Sequence, residues 1–259
     1  MKTLKLALVE FEIVWENPTE NFEKLNQMLE GVEADIFFLP EMYSTGFTMN
    51  PEKLAEPEFG PSFNFLQEKA IEKNAVFVAS VPTKSGSQYY NRLSWVEPNE
   101  TFIQYDKRHL FTLVGEEKHY TAGRERKVIS YQDWKLMPQV CYDLRFPVWA
   151  RNDMKYDLIF YVANWPEIRS YPWIQLLKAR AIENQAYVVG VNRIGKDGNG
   201  ISHAGDSMVY DPLGKEVAHE EQNGILLFEV NKEILQEIRN KFQFLQDQDK
   251  FRLEDLDYN

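Results

Sequence analysis

At 259 residues, with 44% hydrophobic and 14% aromatic content, the chain is long enough to bury one substantial core and reads as a single domain spanning 1–259. A formal net charge of -11 argues against a broad electrostatic footprint for nucleic acid or for an anionic membrane surface. One cysteine excludes an intramolecular disulfide and a cysteine-built zinc cage, and it fits a reducing compartment, so a cytoplasmic protein is expected.

Lys2 and Lys5 before an apolar run imitate the start of a secretory signal, but Glu10 and Glu12 interrupt it. The run falls short of the roughly 7 to 15 residues of a signal core, and nothing later approaches the ~18 apolar residues of a membrane span. Residues 4–13 alternate apolar and polar positions and predict a first strand. Asn17, Pro18 and Glu20 then supply an N-cap, a proline in the first turn and a capping-box carboxylate, with Phe22, Leu25, Met28 and Leu29 on one helical face and Gly31 at the end. The continuous apolar run 34–39 predicts a strand buried on both faces, which delivers Pro40 and Glu41 at its tip. A loop over 44–61 leads to a helix through Phe63, Leu66, Ala70 and Ile71 and to a strand over 75–81.

Residues 89–106 read as a hairpin turning at 97–100, with Lys107 just past its second strand; the Asn99-Glu100-Thr101 sequon is then a plain turn. A second hairpin, over 128–131 and 134–140, ends at Cys141, and Pro147 opens a new helix after it. A strand over 157–164, a helix over 173–185 and a strand over 186–192 lead to the Gly-rich turn 195–200. Two further strands and a charged helix from Lys232 complete an α/β arrangement with no internal repeat or linker. Beyond about residue 241 the apolar period weakens, and the acidic extension is expected to lie on a partner subunit.

Cys141 ends an apolar strand at a turn crowded with Tyr142, Asp143 and Arg145. A free cysteine taken alone is more often a small buried hydrophobe, so a working thiol needs a base and an oxyanion partner from other strand ends. Glu41 and Lys107 also follow apolar strands, and open α/β sheets gather ligands at the carboxyl ends of their strands. At these three places the chain resembles the nitrilase, or carbon–nitrogen hydrolase, superfamily. FFLPEMYSTGF at 37–47 matches its glutamate motif, YDKRHLF at 105–111 its lysine motif and PQVCYDLRFP at 138–147 its cysteine motif. The resemblance runs to about residue 230, through ANWP at 163–166 and AIENQAYVVGVNR at 181–193.

That resemblance implies a four-layer αββα sandwich, a homodimer or higher homo-oligomer paired through a helical layer, and a small-molecule amide as substrate. It implies Cys141 as nucleophile, Glu41 as general base, and Lys107 with the backbone N–H of Tyr142 as oxyanion donors. Family members carry a further glutamate seven residues before a glycine. Counting back from Gly123 selects Glu116 to hold Lys107 charged, with Glu117 as the rival and a solvated charge run as the plainer account. Asn164 and Trp165 are expected to shape the pocket, with core packing the competing role for Trp165. Arg145 is a candidate for a substrate carboxylate, while an ion pair bracing the turn is the plainer reading. Glu10 departs from the glutamine common in relatives. His109, His119, His203 and His219 lack a metal-binding spacing, and neither a metal nor a cofactor is implied.

Within the superfamily LPEMYSTGFTM is most like the omega-amidase branch, which hydrolyses the terminal amide of 2-oxoglutaramate and 2-oxosuccinamate. A nitrile or an N-carbamoyl amine would suit the same three residues, and a catalytically silent interaction module is the alternative outside enzymes.

Overall fold

The apolar runs pair into two mixed sheets that face each other, and helices cover both outer faces. The computed structural model describes residues 2–254. In chain order the strands are β1 Thr3–Val9, β2 Ile36–Phe38, β3 Glu56–Pro57, β4 Val76–Ser85, β5 Gln88–Val96, β6 Phe102–Asp106, β7 Ile129–Tyr131, β8 Trp134–Val140, β9 Leu158–Ala163, β10 Tyr187–Asn192, β11 Ile194–Lys196, β12 Ser202–Ala204, β13 Met208–Tyr210, β14 His219–Gln222 and β15 Ile225–Asn231. The helices are α1 Pro18–Met28, α2 Pro51–Leu54, α3 Pro61–Lys73, α4 Ser170–Asn184 and α5 Lys232–Lys241.

The larger sheet runs β14-β15-β1-β2-β4-β5-β6, with β3 on β4, and the smaller runs β13-β10-β9-β8-β7. Apart from one isolated bridge between Glu12 and Ile194, the described parallel pairing lies in β3–β4 and in the centres, β1–β2–β4 in one sheet and β8–β9–β10 in the other. Central parallel strands are covered on both faces, which is why β2 and β9 carry unbroken apolar runs. Leu6, Phe38 and Val78 point into the space between the sheets, where Phe38 meets Phe160 of β9 at 5.1 Å between ring centroids. Phe37 and Phe77 point the other way, onto Leu25 of α1 and Leu66 of α3. Across the smaller sheet Gly190 of β10 faces Leu177 and Trp173 of α4 so closely that an added Cβ would lie 2.5 Å and 2.8 Å from them. The layers are therefore helix, sheet, sheet, helix, the expected αββα sandwich.

Local expectations mostly hold. Asn17 caps α1 by accepting the Glu20 N–H, although the Glu20 carboxylate meets the Asn17 side-chain amide rather than closing a capping box on its backbone. Ile71 is 53% exposed, because α3 turns Phe65, Leu66 and Ala70 inward instead. The run at 75–81 extends to Ser85 and folds straight back into β5 around Gly86, whose φ of +60° suits a tight hairpin. No helix follows Pro147. Residues 147–150 form turns instead, and the Asn152 N–H donates to Asn184 Oδ1 at 2.9 Å rather than back along the chain to residue 148 as a helix would require.

After α5 the chain lies back on its own domain. Gln185 donates to the Phe242 carbonyl at 2.6 Å and Arg108 to the Glu254 carbonyl at 3.1 Å, while Phe244 stays 63% exposed. The last five residues of the expected extension, 255–259, lie outside the described residues. No described helix is long and apolar enough to cross a membrane.

Candidate active site

The parallel strands of the two sheets end on the same side, and their tips bring together residues far apart in the chain. The Glu41 N–H donates to the carbonyl of Ala163 at 3.3 Å, joining the tip of β2 to the tip of β9 across the sandwich. Lys107 follows β6 and is fixed by its own N–H to the Asn91 carbonyl and by its carbonyl to the Gly123 N–H. The approach of Gly123 is so close that an added Cβ would sit 2.0 Å from the Asp106 carbonyl oxygen. Cys141 follows β8 at φ +45°, an unusual left-handed conformation for a residue with a side chain, and starts a 3-10 turn over Cys141–Arg145.

Glu41, Lys107 and Glu116 form a chain of charge with their side chains fully buried. The Lys107 ammonium donates to Glu41 Oε1 at 2.8 Å and to both oxygens of Glu116, at 3.0 Å and 2.9 Å. Glu116 therefore occupies the position between Lys107 and the loop, and its Oε2 also accepts the Phe111 N–H at 2.6 Å. Adjacent Glu117 makes no contact with the ammonium. Burial pulls the Lys107 pKa down, but the charges of Glu116 and Glu41 outweigh it and hold the ammonium well above its ordinary range. Burial pushes Glu116 up, reinforced by the charge of Glu41 and opposed by Lys107.

Glu41 Oε2 accepts the backbone N–H of Asn164 at 2.9 Å, and the Asn164 side-chain amide donates to the Glu41 carbonyl. The carboxylate is thus held in place at both oxygens. Burial drives the Cys141 thiol well above its ordinary pKa, the negative charge of Glu41 adds to that, and Lys107 opposes it in part. The thiol rests protonated beside a carboxylate and an ammonium. Such an arrangement can deprotonate the sulfur as it attacks and stabilise the oxyanion that results.

A carbon–nitrogen hydrolase family profile matches residues 5–240. The chain belongs to the carbon–nitrogen hydrolase family. It is 45% identical over 256 residues to the omega-amidase YafV of Yersinia enterocolitica, covering 98% of this chain and 100% of that protein. It is 32% identical to the 2-oxoglutaramate amidase of Bacillus subtilis, over 93% of this chain and 96% of that one. Among solved structures, XC1258 of Xanthomonas campestris, a CN-hydrolase superfamily protein with an arsenic adduct in its active site, superposes with a TM-score of 0.94 at 38% identity. That superposition covers 98% of this chain and 100% of the other. Saccharomyces cerevisiae Nit3, at 23% identity and a TM-score of 0.81, shares the fold over 93% of this chain and 94% of its own.

In this carbon–nitrogen hydrolase the thiol opens into a cavity of about 540 Å³, mouth included, walled by Phe47, Phe111, Val114, Trp165 and Pro166. Asn164 lines it as well as holding Glu41, and Tyr142 lines it from the first turn after the thiol. Trp165 serves both suggested uses, facing the cavity with one side and Trp173 of the core with another, at 5.3 Å between ring centroids. Arg145 also lines the cavity, its guanidinium carbon 4.8 Å from the Trp165 ring centroid. The bracing ion pair expected for Arg145 does not form among the described residues; the guanidinium lies over the Trp165 ring instead.

Sequence reasoning missed several supporting residues. Asn91 donates to Glu41 Oε1 at 2.8 Å and to Glu116 Oε1 at 3.3 Å, tying the two carboxylates together. A polar amide in mid-strand, disfavoured by strand propensity, was the available signal. Asp143 accepts from the N–H groups of Val140 and His109 and from the Tyr105 hydroxyl, at 3.0 Å, 2.9 Å and 2.8 Å. His109 and His203 are buried, the first hydrogen-bonded to Asp143 and the second in the cavity wall.

Proposed function

We propose that the chain hydrolyses the terminal amide of a small 2-oxo acid amide, 2-oxoglutaramate or 2-oxosuccinamate, to ammonia and a dicarboxylate. The observation that carries this reading is the near-complete alignment, at 45% identity, with an omega-amidase, in a chain that keeps a buried Glu41–Lys107 pair beside its only cysteine.

Cys141 Sγ attacks the amide carbonyl carbon while its proton passes to Glu41. The carbonyl oxygen becomes an oxyanion facing the Lys107 ammonium and the Tyr142 N–H; loss of one such donor often costs ~100- to 1,000-fold in rate. The C–N bond breaks, the nitrogen takes the proton from Glu41, and ammonia leaves a thioester on Cys141. Water then attacks the thioester with Glu41 accepting its proton. Collapse of that second intermediate releases the carboxylic acid and restores the thiol. Glu116 and Asn91 keep Lys107 charged and Glu41 oriented through both halves. A nitrile would enter the same path as a thioimidate, and an N-carbamoyl amine through a carbamoyl thioester.

Ammonia release from 2-oxoglutaramate, glutamine, a simple nitrile and an N-carbamoyl amine, in wild type and Cys141→Ala, tests the proposal. Preferred turnover of 2-oxoglutaramate, lost in the variant, is expected. Preference for the nitrile or the carbamoyl compound would replace the substrate and keep the chemistry. No acyl-thioester on Cys141 with any of them would favour the interaction module.

A further inference from the structure

The cavity beside Cys141 holds two guanidinium groups that the steps above do not use. The Arg145 guanidinium carbon lies over the Trp165 ring, 4.8 Å from its centroid, and that of Arg169 over the Phe111 ring at 5.3 Å. Among the described residues neither group pairs with a carboxylate. A cation–π contact with a ring face uses none of a guanidinium's N–H groups as hydrogen-bond donors to a carboxylate, and a guanidinium fork matches the two oxygens of one.

The charge on the cavity wall points the same way. Lys107 is balanced by Glu41 and Glu116. Asp197 is the carboxylate among the remaining wall residues, and its Oδ1 already accepts the N–H groups of Asn199 and Ile201 at 2.8 Å and 2.9 Å. Two cations therefore face one committed anion against aromatic and aliphatic walls, where like charges repel strongly until an anion enters.

Arg169 is also held in place. Its N–H donates to the Pro166 carbonyl at 2.9 Å and its carbonyl accepts the Trp165 indole N–H at 2.7 Å, so the turn between β9 and α4 cannot swing away. Arg145 lies on the turn that bears the thiol.

We propose that Arg169 determines specificity by binding the distal carboxylate of an amide-acid substrate, with Arg145 as the second arm of the clamp. This inference rests on the amidase reading of the site. It gives a physical reason for choosing a 2-oxo acid amide over glutamine, whose α-ammonium would be brought against the same two cations.

The test compares glutaramate with pentanamide, which differ only by a carboxylate for a methyl group, in wild type, Arg169→Gln, Arg169→Lys and Arg145→Gln. Wild type should favour glutaramate, and Arg169→Gln should shrink the ratio of kcat/KM values by about 10- to 100-fold, chiefly through KM, the scale of one charge-assisted hydrogen-bonded pair. Arg169→Lys should keep part of the preference, since it retains the charge and loses the fork. A ratio unchanged in Arg169→Gln, or lost only in Arg145→Gln, would overturn the inference while leaving the amidase reading intact. Glutarate binding, followed by the rise in Tm that it produces, supplies a readout independent of turnover. If no amide is hydrolysed, a glutarate effect lost in Arg169→Gln supports the clamp, and its absence from wild type refutes it.

Discussion

Cys141 rests as a thiol because its burial and the neighbouring Glu41 charge both oppose ionisation. The rate is then expected to depend on proton transfer to Glu41 during attack rather than on a standing thiolate. Glu41→Gln removes that negative charge and the base together. Ultraviolet titration of the thiolate should show a lower midpoint than wild type, while ammonia release falls by at least ~100-fold. Replacement of the sulfur should act otherwise, with Cys141→Ala abolishing turnover and leaving unfolding within about 1 to 3 kcal/mol of wild type. Glu10 gives a second residue-scale prediction. Burial raises its carboxyl pKa, the charges of Asp206 and Glu221 add to that, and the Ser207 N–H, which Oε1 accepts at 2.7 Å, works against it. The folded chain thus holds a proton at pH values where the unfolded chain has lost it, so this group's contribution is full below the ordinary carboxyl pKa and is lost as pH rises through the raised one. Glu10→Gln should therefore raise Tm at pH 8, and the gain should shrink towards pH 4 in thermal melts.

Between residues and fold, the site depends on turns that join strand tips. Asp143 connects the lysine segment, through Tyr105 and His109, to the cysteine segment, through Val140. Asp143→Ala would leave those buried donors without their acceptor, at about 1 to 3 kcal/mol for each one not reached by water. A clear fall in Tm and a loss of kcat are expected. Restoration of both by Asp143→Glu would count against the need for this geometry. The hairpin β11–β12 is the other such element, since residues 197, 201 and 203 from it and its loop wall the cavity. An added Cβ at Gly198 would lie 2.4 Å from the Trp15 ring. Gly198→Ala should push that wall outward and raise KM more than it lowers kcat, as steady-state kinetics would show.

The whole molecule places its chemistry where two sheets expose their strand tips on one side, so the groups meeting there are held by the sandwich core rather than by one flexible loop. Phe244 and Val148 remain exposed beside the returning tail, at 63% and 51%, and a second copy of the chain is the expected cover. Deleting residues 245–259 should lower the mass measured by sedimentation equilibrium; an unchanged mass would place the tail's role within one subunit.

Much of this was legible from residue order alone. Buried parallel strands announce themselves as unbroken apolar runs, and the three motifs put Glu41, Lys107 and Cys141 at strand ends, because side-chain periodicity and turn chemistry act over a few residues. Partners that meet through space left no such trace. Asn91 between two carboxylates, Asp143 across two strand tips, the Ser85–Gln88 turn that sets β5 antiparallel on β4 and the failure of a helix after Pro147 depend on which strands become neighbours. For Arg145 the expectation of an ion pair gave way to an aromatic face, since only the packed wall shows that Trp165 reaches the guanidinium and a carboxylate does not. Local periodicity determined the elements and the ends that carry reactive groups. Long-range packing decided which of those ends meet, and with them the charge each group keeps.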